Sequence, residues 1–120
     1  MNSLKVLFLS FFIIGCTTNT TTKVVPLKNA HAHNDYEHER PLFDALENGF
    51  ISVEADVHLI NNELYVSHFA PTELDSSKTL ESLYLNPLLT QINKNGGKVY
   101  KGHDGFFYLM IDIKTEATPS

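Results

Sequence analysis

Ile51-Ser52-Val53-Glu54-Ala55-Asp56-Val57-His58 alternates apolar and polar residues without a break. Successive side chains on a β-strand point to opposite faces. The stretch therefore predicts a strand with Ile51, Val53, Ala55 and Val57 on one face and Ser52, Glu54, Asp56 and His58 on the other. The first face suits a hydrophobic core. On the second, two carboxylates two residues apart project the same way, about 6.6 Å apart along the backbone rise. Such a pair either faces water or shares a hard cation.

Outward from this strand the pattern alternates between extended and helical signals. Asn61-Asn62 is a turn signal, and Leu64-Tyr65-Val66-Ser67 reads as a second extended piece ending at His68. Upstream, Pro41 suits the first turn of a helix, Leu42, Phe43, Ala45 and Leu46 follow at helical spacing, and Gly49 suits the residue just past its end. A helix over about 41–48 is expected. Before it, Val24-Val25-Pro26-Leu27 leads into a first strand ending near Ala30. Downstream, Leu80, Leu83 and Tyr84, then Leu88, Leu89 and Ile92, have helical spacing. Asn86-Pro87 splits this run and Gly96-Gly97 ends it. The apolar run Phe106–Ile111 then reads as a strand buried on both faces in a parallel sheet, ending in Asp112-Ile113-Lys114. Strands alternating with helices indicate an α/β domain.

The chain has 120 residues, 42% hydrophobic, enough for one domain and too few for two. Its formal charge of −5, with no basic cluster, excludes nucleic acid as a partner bound through phosphate contacts. Residues 1–15 carry one charge, Lys5, ahead of a short apolar run, and this predicts an export signal. Ile13-Ile14-Gly15-Cys16 resembles the bacterial lipobox, whose cysteine is lipidated after cleavage. Cys16 is the only cysteine, so no intramolecular disulfide forms, and lipidation accounts for it. Residues 16–23 then serve as lipidated Cys and polar tether, with the folded domain over 24–120. The expectation is an exported, membrane-anchored lipoprotein at the outer membrane or facing the periplasm.

Asp112 ends the apolar strand, where a charge is costly unless solvated, paired or bound to metal. Glu54, Asp56 and Asp112 together form an oxygen-rich set that suits Mg²⁺ or Ca²⁺ better than zinc or copper. His31 and His33 follow the first strand and His68 follows the Leu64–Ser67 segment, so imidazoles from separate loops can act as general acid and base. His58 shares the face of Glu54 and Asp56, as a possible neighbour to the site. His38 lies in a charged stretch and reads as surface, and His103 precedes the last strand, away from Asp112.

Ala30-His31, the helix Ala45-Leu46 to Gly49, Val53-Glu54-Ala55-Asp56-Val57, Val66-Ser67-His68 and Ile111-Asp112-Ile113-Lys114-Thr115 together resemble the phospholipase-C-like phosphodiesterases. That superfamily includes glycerophosphodiester phosphodiesterases and sphingomyelinase D enzymes. His31-Ala32-His33-Asn34-Asp35-Tyr36, with Thr79–Leu85, is most similar to the subgroup named for altered inheritance of mitochondria. The resemblance covers about residues 30–115.

This resemblance implies a (β/α)8 TIM barrel, of which 120 residues hold only the N-terminal part, since a whole barrel needs about 250. It implies catalytic roles for His31, His68 and Lys114, and metal-ligand roles for Glu54, Asp56 and Asp112. His33 rivals His31, while Asn34 and His58 join it as possible substrate contacts. The implied reaction is cation-dependent cleavage of a phosphodiester, either a small molecule or a phospholipid-derived substrate. Glycerophosphodiesterases carry His-Arg-Gly at the first histidine, whereas this chain has His31-Ala32-His33, so a phosphate-binding arginine is missing there. His31-x-x-Asn34 resembles the sphingomyelinase D arrangement instead. Two other readings remain. One is an amidohydrolase or histidinol-phosphatase-like metal enzyme using His31-x-His33, which would need further histidines at later strand ends. The other is a lipoprotein that binds a ligand without catalysis.

Overall fold

The computed structural model describes residues 23–116. The expected export signal, Cys16 and most of the tether lie outside the described residues. Four strands and two short helices make up a small α/β domain: β1 (Leu27–Ala32), α1 (Phe43–Glu47), β2 (Phe50–Ile60), β3 (Glu63–Val66), α2 (Asn86–Lys94) and β4 (Tyr108–Ile113).

Strand β2 is the hub. β1 pairs with it in parallel, His31 opposite Ser52 and Ala32 opposite Val53. β4 also pairs in parallel, from Ser52 opposite Tyr108 to Val57 opposite Ile113. β3 folds back antiparallel, from Val57 opposite Val66 to Ile60 opposite Glu63. Asn61 and Asn62, both with positive φ, make the two-residue hairpin that the sequence signals. Ser67 N–H donates to Asp56 C=O, whereas Lys114 N–H donates to Val57 C=O. Adjacent carbonyls on a strand point to opposite sides, so β3 and β4 flank β2 on opposite sides. β1 shares the side of β3, because β4 already occupies the other edge of Ser52 and Val53.

The sheet is therefore open, and the expected TIM-barrel architecture is not what these residues form. Closure needs strands that continue pairing round to β1, and among the described residues β4 pairs with β2 alone. The expectation that the last strand is buried on both faces also fails. β4 is an edge strand with Tyr108, Met110, Ile111 and Ile113 exposed. The expected membrane attachment is a lipid on Cys16, outside the described residues, among which no helix is long and apolar enough to cross a bilayer.

One face of β2 carries the core. Val53, Ala55 and Val57 are fully buried, with Leu42, Ala45 and Leu46 from the α1 region and Tyr84 and Leu88 from the later helical run. Each large aliphatic side chain removed from water there contributes roughly 1.5–3 kcal/mol. Pro87 does not split that run. A π-helical turn, Glu81–Leu85, passes directly into α2, with Pro87 in the first turn of the latter, where a missing N–H is tolerated.

Helix α1 starts later than its periodicity suggests because Leu42 adopts φ 64° and ψ −48°. Phe43 N–H donates to Pro41 C=O across it at 2.8 Å, the hydrogen bond of a γ-turn with positive φ, a strained form. A bulky residue in this conformation costs of order 1–3 kcal/mol and persists only when its surroundings hold it. Gly49 (φ 81°) ends α1, and a β-carbon there would collide with the Val25 carbonyl oxygen. This tight exit aligns β2 beside β1, with Leu27 N–H donating to Gly49 C=O at 2.8 Å.

Candidate functional site

The other face of β2 is polar and also buried: Glu54 is 7%, Asp56 1% and His58 6% exposed. The parallel register sets Asp112 directly opposite Asp56. One oxygen from each of Glu54, Asp56 and Asp112 lies within 4.8 Å of the others. The sequence-predicted carboxylate set thus converges, from two neighbouring strands. Oxygen donors at this separation fit a hard divalent cation such as Mg²⁺ or Ca²⁺.

Asp56 is the centre of the cluster. Its Oδ2 accepts from the Tyr36 hydroxyl at 2.9 Å and lies 2.9 Å from His68 Nδ1, while its Oδ1 is 3.1 Å from Lys114 Nζ. Lys114 also donates to Asp112 at 2.6 Å, so an ammonium bridges the two facing carboxylates. Burial pushes the Asp56 carboxyl upward. Hydrogen bonding, led by Tyr36 and Lys114 and joined by His68, outweighs this and brings it down to about 2. Burial, then the bond to Asp56, raises the Tyr36 phenol well above its usual range, so it is a donor at neutral pH. Bonds to Asp112 and Asp56 raise Lys114 in turn.

Because an ionised Asp56 only accepts, the His68 ring nitrogen facing it carries the proton. That leaves Nε2 of His68 free to accept one from elsewhere. His68 is about half exposed and stacks edge-on against Phe69, with ring centroids 4.7 Å apart. A cavity of about 590 Å³ opens beside it, lined by Tyr36, Glu39, His68, Phe69 and Lys78 among others.

The remaining predicted residues are placed differently. His31 is exposed and its Nδ1 contacts Ser52 Oγ at 2.8 Å rather than the carboxylates. His33 is exposed and lines, with His31, a separate cavity of about 640 Å³. Asn34 reaches the cluster through its backbone, its N–H donating to Glu54 Oε2 at 2.8 Å. His58 is buried with Nε2 unpartnered among the described residues. The geometry therefore joins His68 and Lys114 to the carboxylates and does not join His31 or His33 to them.

Sequence reading assigned no role to Tyr36, although its hydroxyl touches Asp56. Tyrosine carries no metal-ligand spacing or alternation signal, and Tyr36 follows a turn residue, Asn34, in the left-handed region (φ 51°), whose effect on direction cannot be read from periodicity.

Three carboxylates on neighbouring parallel strands that could hold a divalent cation, with a lysine and a histidine bonded to Asp56, mark the candidate site of this α/β domain. A family model described as an AIM6-like phosphodiesterase domain matches residues 18–118. The chain belongs to this AIM6-like phosphodiesterase domain family, for which hydrolase activity is the family-level character. Among its relatives is an altered inheritance of mitochondria protein 6 homolog of Arthroderma benhamiae, 36% identical over 117 residues, covering 82% of this chain and 37% of that protein. Altered inheritance of mitochondria protein 6 of Lachancea thermotolerans is 45% identical over 107 residues, covering 79% of this chain and 25% of its own length. That of Kluyveromyces lactis is 38% identical over 120 residues, covering 80% and 29%. The chain thus spans about a quarter to just over a third of these relatives' lengths. No solved structure matches.

Proposed function

We propose that this domain supplies the catalytic face of a cation-dependent phosphodiester hydrolase acting on a small or phospholipid-derived phosphodiester. The observation that carries the reading is the convergence of Glu54, Asp56 and Asp112 within 4.8 Å, with Lys114 and His68 bonded to the same Asp56 carboxylate. Glu54, Asp56 and Asp112 would hold Mg²⁺ or Ca²⁺, which when bound would polarise the phosphoryl group and offset its charge. Lys114 places a second positive charge beside the phosphoryl oxygens. His68, oriented by Asp56 through Nδ1, accepts a proton at Nε2 from the attacking hydroxyl or water. The second proton carrier comes from the His31–His33 pair.

Hydrolysis of bis-p-nitrophenyl phosphate with Mg²⁺, Ca²⁺, Zn²⁺ or EDTA tests this reading. Activity is expected with Mg²⁺ or Ca²⁺ and is lost in EDTA. Cleavage that is indifferent to EDTA, or that survives Glu54→Gln within twofold, would overturn it.

A further inference from the structure

Asp35 lies outside the acidic cluster and is fully buried. Its Oδ2 accepts from Leu42 N–H at 2.6 Å and from the Tyr84 hydroxyl at 2.9 Å, while Oδ1 has no partner among the described residues. Burying a carboxylate for two donors is costly, and its position suggests what it secures. Asp35 stands between Asn34, whose N–H reaches Glu54, and Tyr36, whose hydroxyl reaches Asp56. Its two bonds tie that short turn to the strained Leu42 and to Tyr84 in the core.

We infer that Asp35 and Tyr84 form a buried latch that positions the Asn34–Tyr36 turn over the carboxylates, so that Asp35 and Tyr84 are positioning residues for the cation site. The inference rests on the cation site proposed above. Without the latch, Leu42 loses the acceptor that holds its strained backbone. The turn is then free to withdraw Asn34 N–H from Glu54 and the Tyr36 hydroxyl from Asp56. Asn34 and Tyr36 bond the proposed ligands directly, and losing such partners typically weakens metal binding by about 10–100-fold.

Tyr84→Phe removes only the hydroxyl and keeps the ring in the core. Asp35→Asn keeps an oxygen able to accept both bonds. Tyr100→Phe is the matched control, because the buried Tyr100 hydroxyl donates to the backbone carbonyls of Leu46 and Phe50 and to no site residue. Mg²⁺ alone is titrated into the full chain, and exchange of the Asn34 amide hydrogen is followed by NMR. Tyr84→Phe is expected to weaken Mg²⁺ binding about tenfold and to speed Asn34 exchange. Asp35→Asn should stay within about twofold of the parent, and Tyr100→Phe should lower Tm while leaving both readouts unchanged. Parent-like Mg²⁺ affinity and Asn34 exchange in folded Tyr84→Phe would overturn the latch, as would equal losses in Tyr100→Phe. Glu54→Gln separates the two ideas: if it binds Mg²⁺ like the parent the cation site itself is wrong, whereas if it abolishes binding and Tyr84→Phe does not weaken it, only the latch is wrong.

Discussion

Asp56 and Asp112 are direct partners across two parallel strands, yet they occupy opposite environments. Asp56, on the central strand, has a side chain 2% exposed and bonded to Tyr36, His68 and Lys114. Asp112, on the edge strand, is 54% exposed and, among the described residues, bonded to Lys114 alone. The difference teaches that membership of a carboxylate cluster and contribution to the fold are separate properties. A buried charge held by several donors is costly to orphan, whereas an exposed one is already solvated. Each nonetheless offers one oxygen to the carboxylate cluster.

Asp56→Ala puts the largest strain on this comparison. It removes a cation ligand and leaves Lys114, Tyr36 and His68 facing a gap. It is expected to abolish Mg²⁺ binding and to lower stability by about 2 kcal/mol, the cost of leaving part-buried donors without their acceptor, measured by urea denaturation. A loss below about 1 kcal/mol would show that burial of Asp56 carries no structural weight.

His68→Ala is expected to lower phosphodiester turnover about 100-fold while leaving the urea midpoint near that of the parent, because the ring is half exposed. Paired measurements on His31→Ala and His33→Ala identify the second proton carrier as the variant with the greater loss of kcat. Equal, small losses in both would remove that pair from the mechanism.

Asp112→Ala sharpens the contrast. It should weaken Mg²⁺ binding by more than the roughly tenfold that losing a partner of a ligand costs, yet cost under about 1 kcal/mol in stability. Equal destabilisation by the two aspartate substitutions would break the distinction between central and edge strands.

Acid dependence tests the buried member of the pair alone. The Asp56 carboxyl lies at about 2 in the fold against an ordinary 3.8. A group depressed in the folded state stabilises it fully above the ordinary value, and that contribution fades as pH falls from about 4 towards 2. The parent should therefore lose more stability than Asp56→Ala over that interval. Identical acid profiles would remove Asp56 from the linkage.

Much of this was legible in the sequence because it depends on local rules. Alternation from Ile51 to His58 placed Glu54 and Asp56 on one face, and Asn61-Asn62 marked the hairpin. Position after an apolar run marked Asp112. What failed had a non-local cause. The Phe106–Ile111 run carries the composition of a doubly buried strand, but burial depends on which neighbours pair with it, and β4 pairs with β2 alone among the described residues. Pro87 reads locally as a break, yet a first-turn proline leaves the preceding π-helical turn continuous with α2.

The sequence by itself determined the strand pattern, the identity of the carboxylates and their suitability for a hard cation, since alternation and donor chemistry are properties of residues in order. Only the tertiary structure decided that the sheet is open, that His68 and Lys114 rather than His31 meet Asp56, and that Tyr36 belongs to the cluster. Those outcomes depend on strand register and on the backbone turn from Asn34 to Leu42, where positive φ angles redirect the chain in a way no periodicity records.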